Sequence, residues 1–491
     1  MLLCFLLNKL FMTNQISEAL SYDDVLLKPK YSPIRSRKDV STKTKLTKNI
    51  ELNIPIVSSN MDTVTEHKMA IAIARLGGVG IIHRFLSSRQ QSIEVQKVKR
   101  ADSYIIDNPY TVIATNTLGE IEKLRREHNV SSFLVVDKQK KLVGIITRRD
   151  TLFVDNKETL VRNIMTKKDK LITAKRDIDL AHAEKLLHEN RIEKLPLVNS
   201  KGELVGLITT SDVEKRKKFP LAVKDKKGRL VVGAAIGVKD GCLSRAEVLV
   251  AAGADFLVID IAHGHSVAAI DTIKLIKKTL PEVEIIGGNV ATADGAQELI
   301  KVGVDGIKTG VGPGSTCVTR IVAGSGVPQL TAVQETVRIA KKYNIPVIAD
   351  GGIRTSGDIT KAIAAGADTV MLGNLLAGTK ESPGKVLHKD GKQFKIYRGM
   401  ASFGATSGRA ETENGEWQQD ATDGIVPEGV ESLMSYKGSA QNVVEQLVGG
   451  FRSGMTYSGA KTIEEFHKNA EFVRITAGGV RESSYHDVVK L

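Results

Sequence analysis

Eight short apolar runs, each closed by glycine or a small polar residue, restrict what this chain can fold into more than any other feature. They read IPIVSS (54–59), GVGII (78–82), LVVGAAI (230–236), FLVIDI (256–261), EIIGG (284–288), GIKTG (306–310), PVIAD (346–350) and TVMLG (369–373). Apolarity that is continuous rather than alternating marks a parallel strand buried on both faces. Helix-like stretches separate the runs: Glu66–Leu76, Ser88–Lys99, Ser244–Ala251, Val267–Leu280, Ala291–Val302, Val333–Lys342 and Gly357–Ala365. The repeats AAGAD (251–255 and 364–368) and VGVD (302–305) end helices on glycine just before the next run, as helix C-caps do. Eight such units close most simply into an α/β (β/α)8 TIM barrel. An open doubly wound sheet is the alternative, but no GxGxxG turn follows the first run.

A barrel places its chemistry at the C-terminal ends of the strands. Here those ends are SSNMD, IIHRF, AAIG, DIAHG, GGNV, the loop KTGVGPGSTCVTRIVAGSGVPQ (308–329), ADGG and MLGN. The long loop sets Cys317 among five glycines, with Ser315, Thr316 and Thr319 beside it. That much glycine disfavours regular structure and suits backbone that must come close to a ligand. By itself the loop fits a cysteine packed under a turn as well as a nucleophile. Its place at a strand end favours the nucleophile.

Asp350 follows the seventh run and can accept two hydrogen bonds from a ribose diol. Gly351 and Gly352 then open a turn into a helix, where a phosphate is favoured. Gly373 and Asn374 repeat the arrangement after the eighth run. Barrels often grip phosphate with the loops after these two strands, so a phosphorylated ligand is expected. Asp260 and Asn289 are placed to meet a second ligand. His263 and His265 have no third ligand spaced to join them and read as polar loop residues.

At 491 residues the chain has room for two or three domains. Its three cysteines, Cys4, Cys242 and Cys317, are too few and scattered for a disulfide framework, which points to a reducing cytosol. The formal charge of +14 comes largely from lysine-rich helices and the run 214–229. That run reads as solvated surface; no aromatic residues interleave it as nucleic-acid binding would favour. The opening MLLCFLLNKLFM lacks a basic start and a cleavage site and is too short to span a bilayer. Residues 1–14 are therefore expected to be a disordered extension, and no other segment is expected to cross a membrane.

A repeat interrupts the alternation between the second and third runs. VSSFLVVDKQKKLVGIITRRD (130–150) and IEKLPLVNSKGELVGLITTSD (192–212) match at a spacing of 62 residues, and a helix precedes each (Leu118–His128; Asp179–Glu189). Neither copy can bury its apolar face alone, so the two should pack together. The repeat resembles a tandem pair of CBS motifs, expected over 104–160 and 161–216. The resemblance implies adenine or guanine nucleotides at Thr147, Asp150, Thr209 and Asp212. Barrel sequence would then occupy 15–103 and 217–491, with a flap over 400–430. After the barrel a helix is expected over Gln441–Val448.

SSNMDTVT, GVGIIHRF, DIAHGHS, GVGPGSTCVTR, ADGGIRTSGDI, YRGM, VPEG and RSGMTYSGA together resemble the inosine-5′-monophosphate (IMP) dehydrogenase family, over nearly all of 15–490. The resemblance implies oxidation of IMP to xanthosine monophosphate, with Cys317 attacking C2 of the purine, hydride leaving to NAD, and water then releasing the product. It implies that Ser315, Gly351, Gly352, Gly373, Asn374 and Tyr397 hold the phosphate, Asp350 the ribose, and Gly399, Met400 and Glu428 the base. Asp260, Asn289, Gly310 and Gly312 fall on the cofactor side, and Thr319 relays protons with Glu428. Carbonyls of Gly312, Gly314 and Cys317 would bind potassium, completed by Glu482, Ser483 and Ser484 of the partner subunit. That implies a homotetramer, with an octamer as a further step.

One part of the pattern is missing. The family's flap carries an adjacent Arg-Tyr pair whose arginine activates water, and no such pair occurs between Gly399 and Glu428. The matching stretch reads ENGEWQQD; Arg409 and Trp417 are the candidate substitutes. GMP reductase, which releases ammonia with NADPH and needs no activated water, is the alternative reading. A nucleotide-sensing protein that has lost activity is a third.

Overall fold

Eight parallel strands close on themselves in the computed structural model: β1 (Ile56–Ser58), β2 (Val79–Ile82), β3 (Val232–Ile236), β4 (Phe256–Ile259), β5 (Glu284–Val290), β6 (Gly306–Thr309), β7 (Val347–Asp350) and β8 (Thr369–Leu372), with β8 pairing back onto β1. The structure describes residues 16–102, 105–107, 109–128, 130–405 and 426–483. Helices α1 (His67–Leu76), α2 (Ser88–Ala101), α3 (Cys242–Ala251), α4 (Val267–Thr279), α5 (Ala293–Lys301), α6 (Gln329–Ala340) and α7 (Ser356–Ala364) follow the first seven strands. The barrel expected from the apolar runs is the one observed. No described helix is long and apolar enough to cross a membrane.

Continuous apolarity is explained by two cores. Successive residues of one strand point to opposite faces: Val57, Ile348 and Met371 join one cluster with Ile81, Val258 and Ile286. Their neighbours Ile56, Ala349, Val370 and Leu372 join another with Met69, Ile73, Val333, Ile359 and Ile363 of the helices. The Asp that ends each AAGAD or VGVD repeat fastens one strand foot to the previous one. The Asp255, Asp305 and Asp368 amides donate to the carbonyls of Val232, Ile285 and Val347, and their carboxylates accept those residues' amides at 2.8–2.9 Å.

The three aspartates differ in charge balance. Asp305 pairs with Lys277 at 2.5 Å and Lys48 at 3.3 Å. Asp368 has no such ion pair among the described residues, and burial pushes its carboxyl up to about 7. A carboxyl raised above its unfolded value near 4 binds its proton more tightly when folded. Stability is therefore expected to fall by about 4 kcal/mol as pH rises from about 4 through 7. Asp368→Asn should flatten that slope in denaturant unfolding followed across pH.

The helix expected to stop at Val448 runs on to Tyr457 as α8 (Ala440–Tyr457). Two of its glycines are contact points rather than breaks. A Cβ on Gly450 would lie 2.1 Å from Ser356 Oγ, and one on Gly454 would lie 2.3 Å from Thr360 Cγ2, both on α7. The helices approach closely because no side chain intervenes, which overrides glycine's poor helix propensity. Gly454→Ala is expected to cost about 1–3 kcal/mol by overpacking, read in denaturant unfolding.

By internal contacts the chain divides into two units: one of residues up to Val98, Leu221–Val223 and Val231 onward, the other of Lys99–Pro220 and Lys224–Leu230. The second unit holds the repeat. Each copy carries an antiparallel hairpin, Ser132–Val136 with Leu142–Thr147 and Lys194–Val198 with Leu204–Thr209. Leu134, Leu142 and Ile145 of the first copy bury against Leu207 of the second. Thr147 donates from both its amide and its hydroxyl to Asp150, each at 2.7 Å. Thr209 ends its strand, and the Asp212 side chain lies outside the described residues.

Candidate active site

Seven of the eight strand ends open into one cavity of about 740 Å³, and β3 contributes no lining residue. Nearly every barrel residue singled out in the sequence lines it: Asp260, Asn289, Gly310, Gly312, Gly314, Ser315, Cys317, Thr319, Asp350, Gly351, Gly352, Gly373, Asn374, Tyr397, Gly399, Met400 and Glu428. Glu482 and Ser483 lie at the end of the Ala477–Glu482 helix and do not line it. Residues 1–15, Arg409, Trp417 and Ser484 lie outside the described residues, as does the flap between 406 and 425.

Cys317 is half-buried in the loop after β6, which forms a single helical turn only at Thr319–Val322. Its Sγ lies 3.2 Å from Thr319 Oγ1, which donates to Glu428 Oε2 at 2.6 Å. Glu428 arrives from more than a hundred residues away and is pinned through its backbone. Its carbonyl accepts the Val318 amide at 2.8 Å, and its amide donates to the Ala401 carbonyl at 3.1 Å. Three backbones meet there, since a Cβ on Gly399 would come within 2.9 Å of the Thr316 carbonyl and one on Gly429 within 2.9 Å of the Ser402 amide. The outcome is a hydrogen-bonded path from thiol to carboxylate. Such a path can carry a thiol proton away and leave the thiolate nucleophile.

The two turns expected to meet a phosphate differ in construction. The Gly352 amide is taken by the Pro313 carbonyl at 3.1 Å. Asp358, in a capping box with Thr355, takes the Arg354 and Thr355 amides that start α7. After β8, by contrast, the Gly373 and Asn374 amides donate to no protein acceptor among the described residues. Beside them the Ser315 and Tyr397 hydroxyls lie 3.1 Å apart. Burial pushes the Tyr397 phenol above its ordinary range despite hydrogen bonds from Ser315 and Thr316. It stays protonated, and so remains a donor.

On the opposite side a network emerges that the sequence reading missed. Lys308, almost wholly buried on β6, donates to Asp350 Oδ2 at 2.9 Å and to Asn289 Oδ1. The Asn289 amide in turn donates to the same Asp350 oxygen at 2.9 Å and to the Gly310 carbonyl at 2.8 Å. One Asp350 oxygen is thus already occupied, so it has less to offer a ribose than expected. Arg84 donates to Asp260 at 2.8 Å. Burial raises the Asp260 carboxyl, but the Arg84 and Lys308 charges and a hydrogen bond from Asn60 hold it below the usual range. The one visible signal for Lys308 was a charge inside an apolar run. Ser21, Tyr22 and Asp23, which also line the cavity, gave none.

A closed parallel barrel that presents a cysteine, a proton path and unfilled amides at its strand ends is a (β/α)8 enzyme. Comparison with known proteins narrows the class. The family model described as the IMP dehydrogenase / GMP reductase domain matches residues 19–486. Inosine-5′-monophosphate dehydrogenase of Nitrosopumilus maritimus is 52% identical over 97% of this chain and 99% of its own length. GMP reductase of Leishmania donovani is 50% identical over 97% and 98%. A cysteine-to-alanine variant of GMP reductase from Trypanosoma brucei, solved with guanosine 5′-monophosphate, superposes with a TM-score of 0.91 at 49% identity over 97% of this chain and 99% of that one. The chain belongs to the IMP dehydrogenase / GMP reductase family of oxidoreductases, whose substrates are purine nucleotides such as IMP or GMP.

Proposed function

We propose that the chain oxidises IMP to xanthosine monophosphate with NAD through a covalent bond from Cys317 to C2 of the purine. The Cys317–Thr319–Glu428 path carries this reading, since it can free the thiolate and, once Glu428 has passed that proton to solvent, take one from the attacking water. The thiolate adds to C2, and NAD, when bound, would supply the acceptor for the hydride that C2 loses. Water then adds to C2, the C–S bond breaks, and Glu428 through Thr319 takes the water's proton. Ser315, Tyr397, Gly351, Gly373 and Asn374 receive the phosphate; Asp350, through its open oxygen, receives the ribose; Gly399, Met400 and Glu428 meet the base. Asp260 and Asn289, with Gly310 and Gly312, face the cofactor side, and the cavity is large enough for a nucleotide beside a nicotinamide.

Potassium fits the cysteine loop by donor chemistry. The Gly312 and Cys317 carbonyls accept no hydrogen bond among the described residues, and that of Gly314 accepts the Cys317 amide. These three would hold the ion and brace the loop, with Glu482, Ser483 and Ser484 of the partner subunit in a homotetramer. The repeat unit would bind adenine or guanine nucleotides through Thr147, Asp150, Thr209 and Asp212, and the enzyme would work in the cytoplasm.

A second reading, GMP reduction with NADPH, is favoured by one observation: the absence of an Arg-Tyr pair between Gly399 and Glu428. There Cys317 displaces ammonia from C2, and hydride then replaces sulfur without any attacking water. The test is nicotinamide absorbance with IMP and NAD and, separately, with GMP and NADPH. Reduction of NAD only with IMP is expected; oxidation of NADPH only with GMP would replace the first reading by the second.

A further inference from the structure

Behind the turn that follows β8 sits a lysine with no anionic partner among the described residues. Lys437 Nζ donates to the Asn374 carbonyl at 2.5 Å and reaches the Leu375 carbonyl at 3.4 Å. It makes no ion pair among the described residues. Glu381 nearby is committed to the Ala440 amide at 2.8 Å, and Lys395 faces the Ser382 and Lys380 carbonyls. The segment carrying Lys437 is stitched to the same turn, since the Lys437 amide donates to the Gly378 carbonyl and the Lys380 amide to the Gly438 carbonyl. Within the turn the Leu376 and Ala377 amides both donate to the Gly373 carbonyl, at 3.1 and 2.9 Å. That leaves the Gly373 and Asn374 amides at the cavity end and the Asn374 and Leu375 carbonyls at the lysine end. A cation on the carbonyl end of such a turn favours an anion on its amide end.

We propose that Lys437 is a positioning residue for phosphate recognition, fixing the turn so that the Gly373 and Asn374 amides point at the nucleotide's phosphate. The inference rests on the reading above that this turn receives the phosphate. Lys437 touches no substrate itself; it acts through the two carbonyls it holds. A neutral amine could still donate to those carbonyls, but the positive charge that favours an anion at the amide end requires the proton, and burial lowers the Lys437 pKa to about 8. The effect is therefore full below that pH and lost as pH rises through it.

The test compares the nucleoside monophosphate that the chain turns over with the matching nucleoside as a competitive inhibitor. Lys437→Met is expected to raise KM for the nucleotide about tenfold, leave kcat within about threefold, and leave the nucleoside's inhibition constant unchanged. Lys437→Arg should restore most of the difference. In the wild-type chain the nucleotide-over-nucleoside preference should fall as pH passes about 8, and in Lys437→Arg it should not. A general structural role would weaken nucleotide and nucleoside together, and that result overturns the proposal. If Ser315→Ala and Tyr397→Phe lower the preference while both Lys437 variants leave it intact, the proposal alone fails. If none of the four changes it, the phosphate reading fails, and the proposal with it.

Discussion

Cys317→Ala is expected to lower turnover by about 10⁴-fold or more while nucleotide affinity stays within a few-fold. Removing a nucleophile removes the route rather than one contact along it, so the loss should match that of deleting the whole proton path. Thr319→Val and Glu428→Gln should each lose less alone, and adding either to Cys317→Ala should lose nothing further. Additive losses in the double variants would mean that the three groups do not act as one unit. The measurement is steady-state kinetics together with binding by calorimetry, so that a folding defect would show as lost affinity rather than lost turnover.

Lys308→Met is expected to cost about 3–5 kcal/mol in denaturant unfolding and to weaken nucleotide binding. Lys308 is the buried cation to which Asp350 and Asn289 bond directly, and it also lowers the Asp260 carboxyl. Taking away Lys308 leaves the Asp350 carboxylate charged with only the Asn289 amide to offset it, and that is where the large cost arises. Lys308→Arg keeps the charge in a differently shaped head group, so it should recover stability more than affinity. If Lys308→Met unfolds like the wild type, the network is not what holds the cofactor side of the cavity together.

The barrel was legible because its signal is periodic. A strand buried on both faces is apolar at nearly every position, and four of the barrel helices (α1, α3, α5 and α7) are followed by a left-handed glycine, Gly77, Gly253, Gly303 or Gly366, before the next strand. Strand-end residues were legible for the same reason: once the strands are placed, Cys317, Asp350 and Gly373 can only face the mouth. Side-chain networks were not legible, because a hydrogen bond depends on which rotamers meet across strands. Lys308 went unremarked within an apolar run, and Asp350 looked free because nothing in the chain's order shows that Lys308 and Asn289 reach it. The expected helix stopped short of Gly449, Gly450 and Gly454, whereas α8 runs through them and Gly450 and Gly454 serve contact with α7. Amide supply after β7 was overestimated because the Pro313 carbonyl takes the Gly352 amide and a capping box takes those of Arg354 and Thr355.

A covalent nucleotide on Cys317 is the claim on which the functional account stands. It can be observed directly by quenching the protein during turnover with IMP and NAD, digesting it, and weighing the peptide that contains Cys317. The account predicts that this peptide carries one purine nucleotide, that the adduct requires both ligands, and that Thr319→Val and Glu428→Gln change its amount. Turnover that proceeds with the Cys317 peptide unmodified at every quench time would contradict it.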